Sequence, residues 1–516
     1  MKTLRHPNSG KRQGTVYLVG AGPGRADLIT VRGAELLKTA DCVIYDKLAN
    51  PALLKFARKD AETFHVPKRT NADSFTQEKI NKLLIEKASA GQIVVRLKGG
   101  DPCIFGRAGQ EIAALTHAGI DFEIVPGVTA ATAAAEYAGI ILTDRDYSSQ
   151  LVLVTGHEAE GKQKSNIDWH LLAKFRGTIV FYMAMENLEL IAERLIKNGM
   201  EEETPAAVIT DATLPRQKVI KTSLRQITKN CKENKIEPPA IVVIGAAADT
   251  NAKLNWFMTK PLFGRNIVVT RNAVGNADFA NRIICKGGNP IEFTTIKIKP
   301  LTQTNKFLQT LAKIAEYDWI IFTSANGVAS FFDVLQRLDK DARIFASAKI
   351  AAIGSETAAK LSQFGIKADF VPTVFTSKEL GKQLISFANL QGKKVLLLRS
   401  QLASNELTEL LGKAGAKVDD VPVYTVVTVK SDCRWLREKI RNGEIDWLTF
   451  TSPSSARAFF EQIPAELVNS GNVRVASIGP VTSEQLKNLG IRVKVQAVEH
   501  TIDGLIEVME KVKGKK

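Results

Sequence analysis

Acidic and basic side chains follow several short apolar runs of this sequence, in turns that are rich in glycine. Asp46 follows C-V-I-Y, and Asp101 lies in the turn G-G-D-P that ends the run V-V-R-L-K. A carboxylate at a strand end is suited to accept a proton or to bind a hydroxyl or an amine. Arg96, Lys98 and Arg107 flank the second turn, and arginine can bind a carboxylate through two parallel hydrogen bonds. These residues predict a site for a small carboxylated ligand.

Three glycine-containing turns end apolar runs in the first half. They read G-A-G-P-G at 20–24, K-G-G-D-P at 98–102 and P-G-V-T-A at 126–130. Glycine permits a positive φ and lets a ligand approach the backbone. The first turn is neither the G-x-G-x-x-G of a dinucleotide site nor a P-loop. It fits a ligand site and also a plain strand-to-helix turn, with a helix expected near Thr30 and another from Thr129-Ala130.

Apolar runs alternate with stretches of helical spacing along the chain, which predicts an α/β fold with largely parallel sheets. Helices are expected at 77–88 and 188–198, among others. The stretch 231–239 is charged and is expected to be poor in helix. In the first half we expect strands at 16–19, 42–45, 93–98, 122–124, 152–155, 178–183, 206–209 and 240–244.

The second half contains an internal repeat. Residues 264–271 and 321–332 each recur about 128 positions later, as G-K-K-V-L-L-L-R and T-F-T-S-P-S-S-A-R-A-F-F. Residues 351–370 recur at 476–495. Repeats of this length indicate a duplicated α/β unit, which we expect to form two similar flavodoxin-like lobes. Clefts between such lobes commonly bind ligands.

The composition restricts the class of protein and its partners. The chain has 516 residues, a hydrophobic fraction of 45 % and a net charge of +16 without dense basic blocks. It offers no basic stripe for nucleic acid, no run long enough to span a membrane and no secretory signal. The five cysteines are widely separated, which argues against disulfides and a metal site. We expect a cytoplasmic protein.

The three turns, in this order, resemble those of the uroporphyrinogen III C-methyltransferases of siroheme and cobalamin synthesis. The resemblance covers about 15–247 and includes Y-D-K-L, F-Y-M-A-M-E-N-L and P-A-I-V-V-I-G. It implies a two-lobed methylase that uses S-adenosylmethionine to methylate C2 and C7 of uroporphyrinogen III, giving precorrin-2. It also implies a homodimer formed through this half.

The same resemblance carries functional residues onto this chain. It implies Asp46 and Lys68 as acid–base residues, and Arg107 suits a substrate carboxylate. Ala212, Ile141 and Asp144 depart from residues common in that family and affect the shape of two loops. The implied contacts to S-adenosylmethionine are Pro23, Gly99, Gly100, Asp101, Ile104, Thr129, Ala130, Met183 and Ala212.

The duplicated half resembles uroporphyrinogen III synthase over about 261–509, through its T-S-x-x and I-G-x-x-T turns. That family closes hydroxymethylbilane with loss of water and inversion of one ring, without metal or organic cofactor. The resemblance implies Tyr424 as an aid to departure of the hydroxyl. The loop residues expected to bind substrate are Thr323, Ser324, Ser355, Thr451, Ser452 and Thr482, although such residues also cap helices.

The predicted organisation is therefore a disordered lead at 1–14, a methyltransferase at 15–250 with a break near 130–150, a linker at 251–262 and a synthase at 263–516. Three alternatives stay open on the sequence alone. The second half could bind tetrapyrrole without catalysis, or the chain could be a ligand-responsive regulator. The first half could also methylate a later corrinoid.

Overall fold

A computed structural model describes residues 14–66, 76–158, 165–249 and 254–512. The chain divides into two compact units. The first holds the described residues up to Arg265 together with Ile284–Asn289, and the second holds Asn266–Ile283 and the described residues from Pro290 onward.

The first unit begins with a parallel five-stranded sheet. Its strands are β1 (Thr15–Gly20), β2 (Cys42–Tyr45), β3 (Glu62–His65), β4 (Val94–Lys98) and β5 (Asp121–Val125), in the order β3-β2-β4-β1-β5. Helices α1 (Val31–Thr39), α2 (Gln77–Ser89) and α3 (Ala108–His117) connect them, with 3-10 turns at Ala26–Leu28 and Pro51–Phe56. Thr30 caps α1 by accepting a hydrogen bond from Gly33 N at 3.1 Å. Since all strands are parallel, their carboxyl ends lie along one edge.

A second lobe completes the first unit. Helix α4 (Ala130–Tyr137) leads into β6 (Leu151–Thr155), α5 (Trp169–Ala173), β7 (Thr178–Tyr182), a 3-10 turn at Met185–Asn187, α6 (Leu188–Lys197), β8 (Pro205–Thr210), β9 (Lys218–Ser223), α7 (Ile227–Glu233), β10 (Ala240–Ile244) and a 3-10 turn at Ala246–Ala248. The strand order is β6-β7-β10-β8-β9.

The strand directions of this lobe depart from the largely parallel pattern of the other sheets. Only β6 and β7 are parallel, whereas β10 pairs antiparallel with β7 and β8, and β8 pairs antiparallel with β9. The stretch 231–239 is poor in helix as expected, since α7 ends at Glu233; Cys231, in the last turn of α7, is buried against the lobe core.

The described part of the predicted linker packs on the first unit. Phe257 is buried, and its ring lies 4.8 Å from that of Tyr137. Trp256 donates a hydrogen bond from Nε1 to the carbonyl of Glu136 at 3.0 Å. From Leu254 onward this segment is therefore fixed by apolar burial rather than free.

The second unit contains two further five-stranded sheets. In chain order its elements are β11 (Asn266–Val269), α8 (Ala273–Cys285), β12 (Asn289–Glu292), β13 (Ile296–Pro300), α9 (Asn305–Ala312), β14 (Trp319–Phe322), α10 (Ala325–Arg337), β15 (Lys349–Ala352), α11 (Ser355–Ser362), α12 (Ser377–Phe387), β16 (Lys394–Ser400), α13 (Glu406–Lys413), β17 (Lys417–Thr428), α14 (Arg434–Arg441), β18 (Trp447–Phe450), α15 (Pro453–Phe460), α16 (Ala465–Asn469), β19 (Arg474–Ser477), α17 (Pro480–Asn488), β20 (Val495–Gln496) and α18 (Ile502–Glu510), with 3-10 turns at Ile314–Glu316 and Ala342–Phe345.

The sequence repeat does not coincide with the two lobes of this unit. One lobe has the sheet order β12-β11-β18-β19-β20, and the other has β13-β17-β16-β14-β15. Strands β11 and β16 are repeats of one another but lie in different lobes, and the same is true of β14 and β18. The chain passes between the lobes twice, and the two passages meet where Val429 N donates to Thr295 O at 2.8 Å.

Candidate active sites

Three loops of the first unit meet at the carboxyl edge of its parallel sheet. Gly22 N donates to Gly100 O at 3.2 Å, and Gly100 N donates to Gly22 O at 2.9 Å. A Cβ added at Gly20 would lie 2.5 Å from the Cα of Gly127, so glycine is required where these turns touch. The meeting of the loops produces a surface of backbone groups, which is where parallel α/β sheets bind ligands.

Asp101 holds two of these loops together. Its Oδ1 accepts from Cys103 N at 2.8 Å and Ile104 N at 3.2 Å, and its Oδ2 accepts from Gly127 N at 3.0 Å. The sequence interpretation expected this carboxylate to face a ligand hydroxyl or amine. In the structure three backbone N–H groups already bind it, so it fixes the loop that carries Ile104.

Tyr182 joins the second lobe to the same region. Its hydroxyl lies 2.6 Å from Thr129 Oγ1 and accepts from Ala131 N at 3.0 Å, and burial raises the pKa of this phenol. The next residue, Met183, is half-exposed with a φ of 51°. A positive φ is strained for methionine, so the surrounding structure must fix the backbone of Met183, which directly follows the tyrosine that contacts the start of α4. Tyr182 was not among the predicted site residues, although it directly precedes Met183 in the sequence F-Y-M.

Thr213 connects another predicted pair of residues. Its hydroxyl accepts from Arg25 N at 3.0 Å and donates to Pro23 O at 3.0 Å. A Cβ added at Gly24 would lie 2.8 Å from Ala212 O. Pro23 and Ala212, which are 189 positions apart in the sequence, therefore lie side by side. No sequence motif indicated Thr213.

Asp46 lies at the end of β2 beside a buried charge cluster. Arg96 donates to Asp46 Oδ1 and, from Nε, to Glu111 Oε1 at 3.2 Å, while Lys98 Nζ lies 2.7 Å from Glu111 Oε2. Arg96 and Glu111 are 0 % exposed, and Lys98 is 1 % exposed. The expectation that Arg96 and Lys98 bind ligand carboxylates is therefore wrong, because both face buried protein carboxylates.

Asp46 keeps one side available to a ligand. Its carboxylate is partly exposed, and no hydrogen bond to its Oδ2 is found among the described residues. Arg107 is exposed, with a φ of 58° immediately before α3, and forms no ion pair in the described part of the chain. Lys68 lies outside the described residues.

Equivalent serines begin one helix in each lobe of the second unit. Ser324 Oγ accepts from Gly327 N at 3.0 Å at the start of α10, and Ser452 Oγ accepts from Ser455 N at 3.1 Å at the start of α15. Only Ser324 also contacts a tyrosine, since the hydroxyl of Tyr424 lies 3.0 Å away. The Tyr424 ring is buried in the lobe core, and its hydroxyl lies beside Ser324 at the start of α10.

The other predicted residues of this unit differ in accessibility. Thr323 and Thr451 are partly exposed where β14 and β18 end, and Ser355 is exposed at the start of α11. Thr482 is 3 % exposed within α17. Its expected role as a ligand contact is not supported, because a buried hydroxyl is not presented to a bound molecule.

Two general properties bear on both units. None of the described helices is long and apolar enough to cross a membrane. In the same described ranges, no group of three or more His, Cys, Asp and Glu side chains is placed to hold a metal ion.

Comparison with known proteins assigns each unit to a family. The family of tetrapyrrole (corrin/porphyrin) methylases matches residues 15–228, and the uroporphyrinogen-III synthase HemD family matches 277–507. A porphyrin biosynthesis protein HemD of Ruminiclostridium josui is 38 % identical over 504 residues, which cover 97 % of this chain and 98 % of that protein. This chain belongs to the family of fused tetrapyrrole methylases and uroporphyrinogen III synthases.

Further relatives match the methylase half. The uroporphyrinogen-III C-methyltransferase of Bacillus subtilis is 38 % identical over 354 residues, 69 % of this chain and 72 % of that protein. A solved uroporphyrin-III C-methyl transferase from Thermus thermophilus, complexed with S-adenyl homocysteine, is 34 % identical, with a TM-score of 0.39 over 45 % of this chain and 98 % of that one. The fused enzyme is thus a C-methyltransferase and a uroporphyrinogen III synthase of porphyrin and siroheme synthesis.

Proposed function

We propose that the first unit methylates uroporphyrinogen III at C2 and C7 with S-adenosylmethionine and so produces precorrin-2. The observation that carries this proposal is the meeting of Gly22, Gly100 and the start of α4 at one sheet edge. A Cβ added at Gly100 would come no closer than 3.6 Å to its nearest neighbour, Ala130 N. The partly exposed residues beside this meeting point, Gly99, Thr129 and Ala130, suit a ligand with amino-acid and nucleoside parts.

The residues that would hold this donor come from both lobes of the unit. They are Pro23, Gly99, Gly100, Ile104, Thr129, Ala130, Met183 and Ala212, with Asp101 fixing the loop around Ile104. When bound, the donor supplies an electrophilic methyl group. The protein mainly orients the pyrrole carbon toward that methyl group, because alignment of reactants removes much of the barrier.

Asp46 and Arg107 have separate roles in this proposal. The methyl transfer leaves a cationic adduct that must lose a proton from a position other than the methylated carbon, and Asp46 Oδ2 accepts that proton while Arg96 holds Oδ1 in place. The exposed guanidinium of Arg107 binds a substrate carboxylate in bidentate fashion. Lys68 stays a predicted proton donor on the grounds of sequence alone.

We propose that the second unit closes hydroxymethylbilane to uroporphyrinogen III without a cofactor. The hydroxyl of Tyr424, held by Ser324, donates a hydrogen bond to the departing hydroxyl. Thr323, Ser355, Thr451 and the backbone amides that begin α10 and α15 bind carboxylates, since helix N-termini favour anions. Spontaneous closure gives the uninverted isomer I, so control of substrate shape is the main catalytic task.

We further propose that the enzyme is a cytoplasmic homodimer formed through its first unit. The resemblance of this unit to the methyltransferase family supports the dimer, and several large apolar side chains of the unit, among them Val31 and Leu171, are exposed. Size-exclusion chromatography with light scattering measures the molar mass of the protein in solution directly. A monomer mass at micromolar concentration would contradict the dimer.

The decisive experiment supplies hydroxymethylbilane anaerobically to the purified chain, with and without S-adenosylmethionine, and identifies products by absorbance and mass. We expect isomer III without the donor and a doubly methylated product with it. Asp46→Asn is expected to retain donor binding and to lose about 100-fold or more in methylation rate. Isomer I alone, at the uncatalysed rate, would contradict catalysis by the second unit.

A further inference from the structure

Arg271 has an unusual environment in the second unit. It follows β11 and is partly buried, and its backbone N donates to Asn276 Oδ1 at 2.6 Å. A Cβ added at Gly275 would lie 2.9 Å from Arg271 Nε, which places the side chain over the first turn of α8. Burial lowers the pKa of Arg271 from its ordinary value, but an arginine stays charged at neutral pH.

The guanidinium of Arg271 has no polar partner in the part of the chain that the structure describes. Within the described residues it makes no hydrogen bond and no ion pair, and the acidic groups that act on it from a distance are Glu356 and Asp278. Asp278 is already bound by Arg282, whose Nε lies 3.2 Å from its Oδ2. Glu356 lies at the start of α11, in the other lobe. Arg271 is therefore a partly buried cation whose guanidinium has no partner among the described residues.

The repeat supplies an internal comparison. Arg399 occupies the same position 128 residues later, at the end of β16, and it is almost fully buried. Its guanidinium forms two hydrogen bonds with Asp420, one with Ser404 O at 2.6 Å and one with Thr408 Oγ1 at 3.0 Å. In this copy the fold itself binds the arginine, and in the first copy it does not.

An unpaired charge that is withdrawn from water costs stability. Such a group is informative about function, because a bound anion would supply the missing partner. The end of β11 is next to the end of β18, since Thr270 Oγ1 donates to Thr449 O at 2.7 Å. The partly exposed Thr451 and Ser452 follow directly, so Arg271 lies beside loops that already offer donors to an anion.

We propose that Arg271 is a substrate-binding residue whose guanidinium takes one carboxylate of the linear tetrapyrrole through paired hydrogen bonds. This inference rests on the synthase function proposed above and assigns it an anchor in the lobe that lacks Tyr424. Arg399 is its structural counterpart and binds no substrate. In this proposal Arg271 binds substrate, whereas Arg399, at the equivalent position of the repeat, stabilises the fold.

The test compares Arg271→Met, Arg271→Lys, Arg399→Met and Glu356→Gln in the full chain. KM and kcat for isomer III formation from hydroxymethylbilane are measured, together with the melting transition of the second unit. Methylation of supplied uroporphyrinogen III by the same preparations controls for protein quality. The wild-type chain must form isomer III; if it does not, the proposed function itself fails, independently of Arg271.

We expect Arg271→Met to raise KM by roughly 10- to 100-fold, the size of a charge-assisted hydrogen-bond pair, with a smaller effect on kcat. Arg271→Lys should recover part of this loss, and the rise of KM with ionic strength should be shallower in the Met variant. The melting transition should stay in place or rise for Arg271→Met and fall for Arg399→Met, because, of these two arginines, Arg399 alone has partners among the described residues.

Two results would overturn the assignment. An unchanged KM and isomer ratio in Arg271→Met would show that no substrate group binds there. If Glu356→Gln reproduced the loss seen in Arg271→Met, the arginine would act as an ion pair between the lobes rather than as a substrate anchor. If the Met variant unfolds, Arg271→Lys and the salt dependence of its KM decide the question in the same way.

Discussion

Glu111→Gln tests whether the buried charges beside Asp46 act as one balanced group. The carboxylate of Glu111 lies 3.2 Å from Arg96 Nε and 2.7 Å from Lys98 Nζ. Glutamine keeps the size of the side chain but leaves two buried cations facing only Asp46. Removing one partner of a buried ion pair costs about 3–5 kcal/mol, so we expect the free energy of unfolding of the first unit to fall by that amount at pH 7.

The pH dependence of this loss follows from Lys98. Burial lowers the pKa of Lys98, and Glu111 opposes that shift, so removing Glu111 lowers the pKa further. Between the folded and unfolded pKa values the unfolded chain binds more protons, so stability rises with pH in that window. Because the folded pKa of Lys98 is lower in the variant, the stability of the variant begins to rise at a lower pH than that of the wild type. Its deficit should therefore shrink as pH rises, by about 1.4 kcal/mol per pH unit between the two folded pKa values.

Hydrogen exchange read by mass spectrometry on β4 peptides measures opening of this sheet apart from the rest of the chain. Measurements at pH 7 and pH 9, corrected for intrinsic exchange, give the deficit at each pH. Lys98→Met is made in both backgrounds and should partly rescue Glu111→Gln, because it removes the unpaired cation. Glu62→Gln, which breaks the exposed pair with Lys87, is the matched control and should have little effect. A deficit that is equal at both pH values and additive with Lys98→Met would refute the reasoning.

Three further changes have defined outcomes. Thr213→Ala removes the hydroxyl between Arg25 N and Pro23 O and should weaken S-adenosylmethionine binding about 5- to 10-fold by calorimetry, with isomer III formation as the unaffected control. Tyr424→Phe should slow isomer III formation by about 10-fold or more while methylation of supplied uroporphyrinogen III is unchanged; an equal rate would rule out a role for the hydroxyl. Burial raises the pKa of Cys42 to about 11, so its thiol should resist alkylation at pH 8 while exposed Cys103 reacts, as peptide mass spectrometry can measure; rapid labelling of native Cys42 would contradict this.

The sequence predicted the buried strands of the first unit closely. The runs before Asp46 and Gly99 are continuous and β-branched, and helices begin after Thr30 and Thr129 as expected. Strand direction was not predictable from such runs, because an apolar segment such as Ala240–Ile244 has the same pattern in either direction. Strand Lys218–Ser223 was missed because none of its residues is buried, which weakens its apolar signal.

The candidate sites show a similar division. Motifs predicted the loops that converge, because glycine is required where Gly20 touches Gly127. The side chains that join those loops could not be predicted from motifs, since Tyr182 and Thr213 act on partners that are distant in the sequence. Motifs also gave no information on burial. In the sequence the buried Thr482 could not be distinguished from the partly exposed Thr323 and Thr451. Likewise, the buried Arg96 could not be distinguished from an arginine that binds a ligand.

The second unit places asymmetric chemistry on a repeated scaffold. Ser324 and Ser452 cap equivalent helices, but only Ser324 has a tyrosine partner, and the residue 128 positions before Tyr424 is Ile296. Conversely, Arg399, in the lobe that contains Tyr424, is bound by protein groups. Its counterpart Arg271, in the other lobe, has no partner among the described residues. A symmetric cleft would bind a four-ring chain equally well in either direction. One anchor and one hydrogen-bond donor in opposite lobes would fix which end of the chain meets Tyr424, as a reaction that inverts a single ring requires.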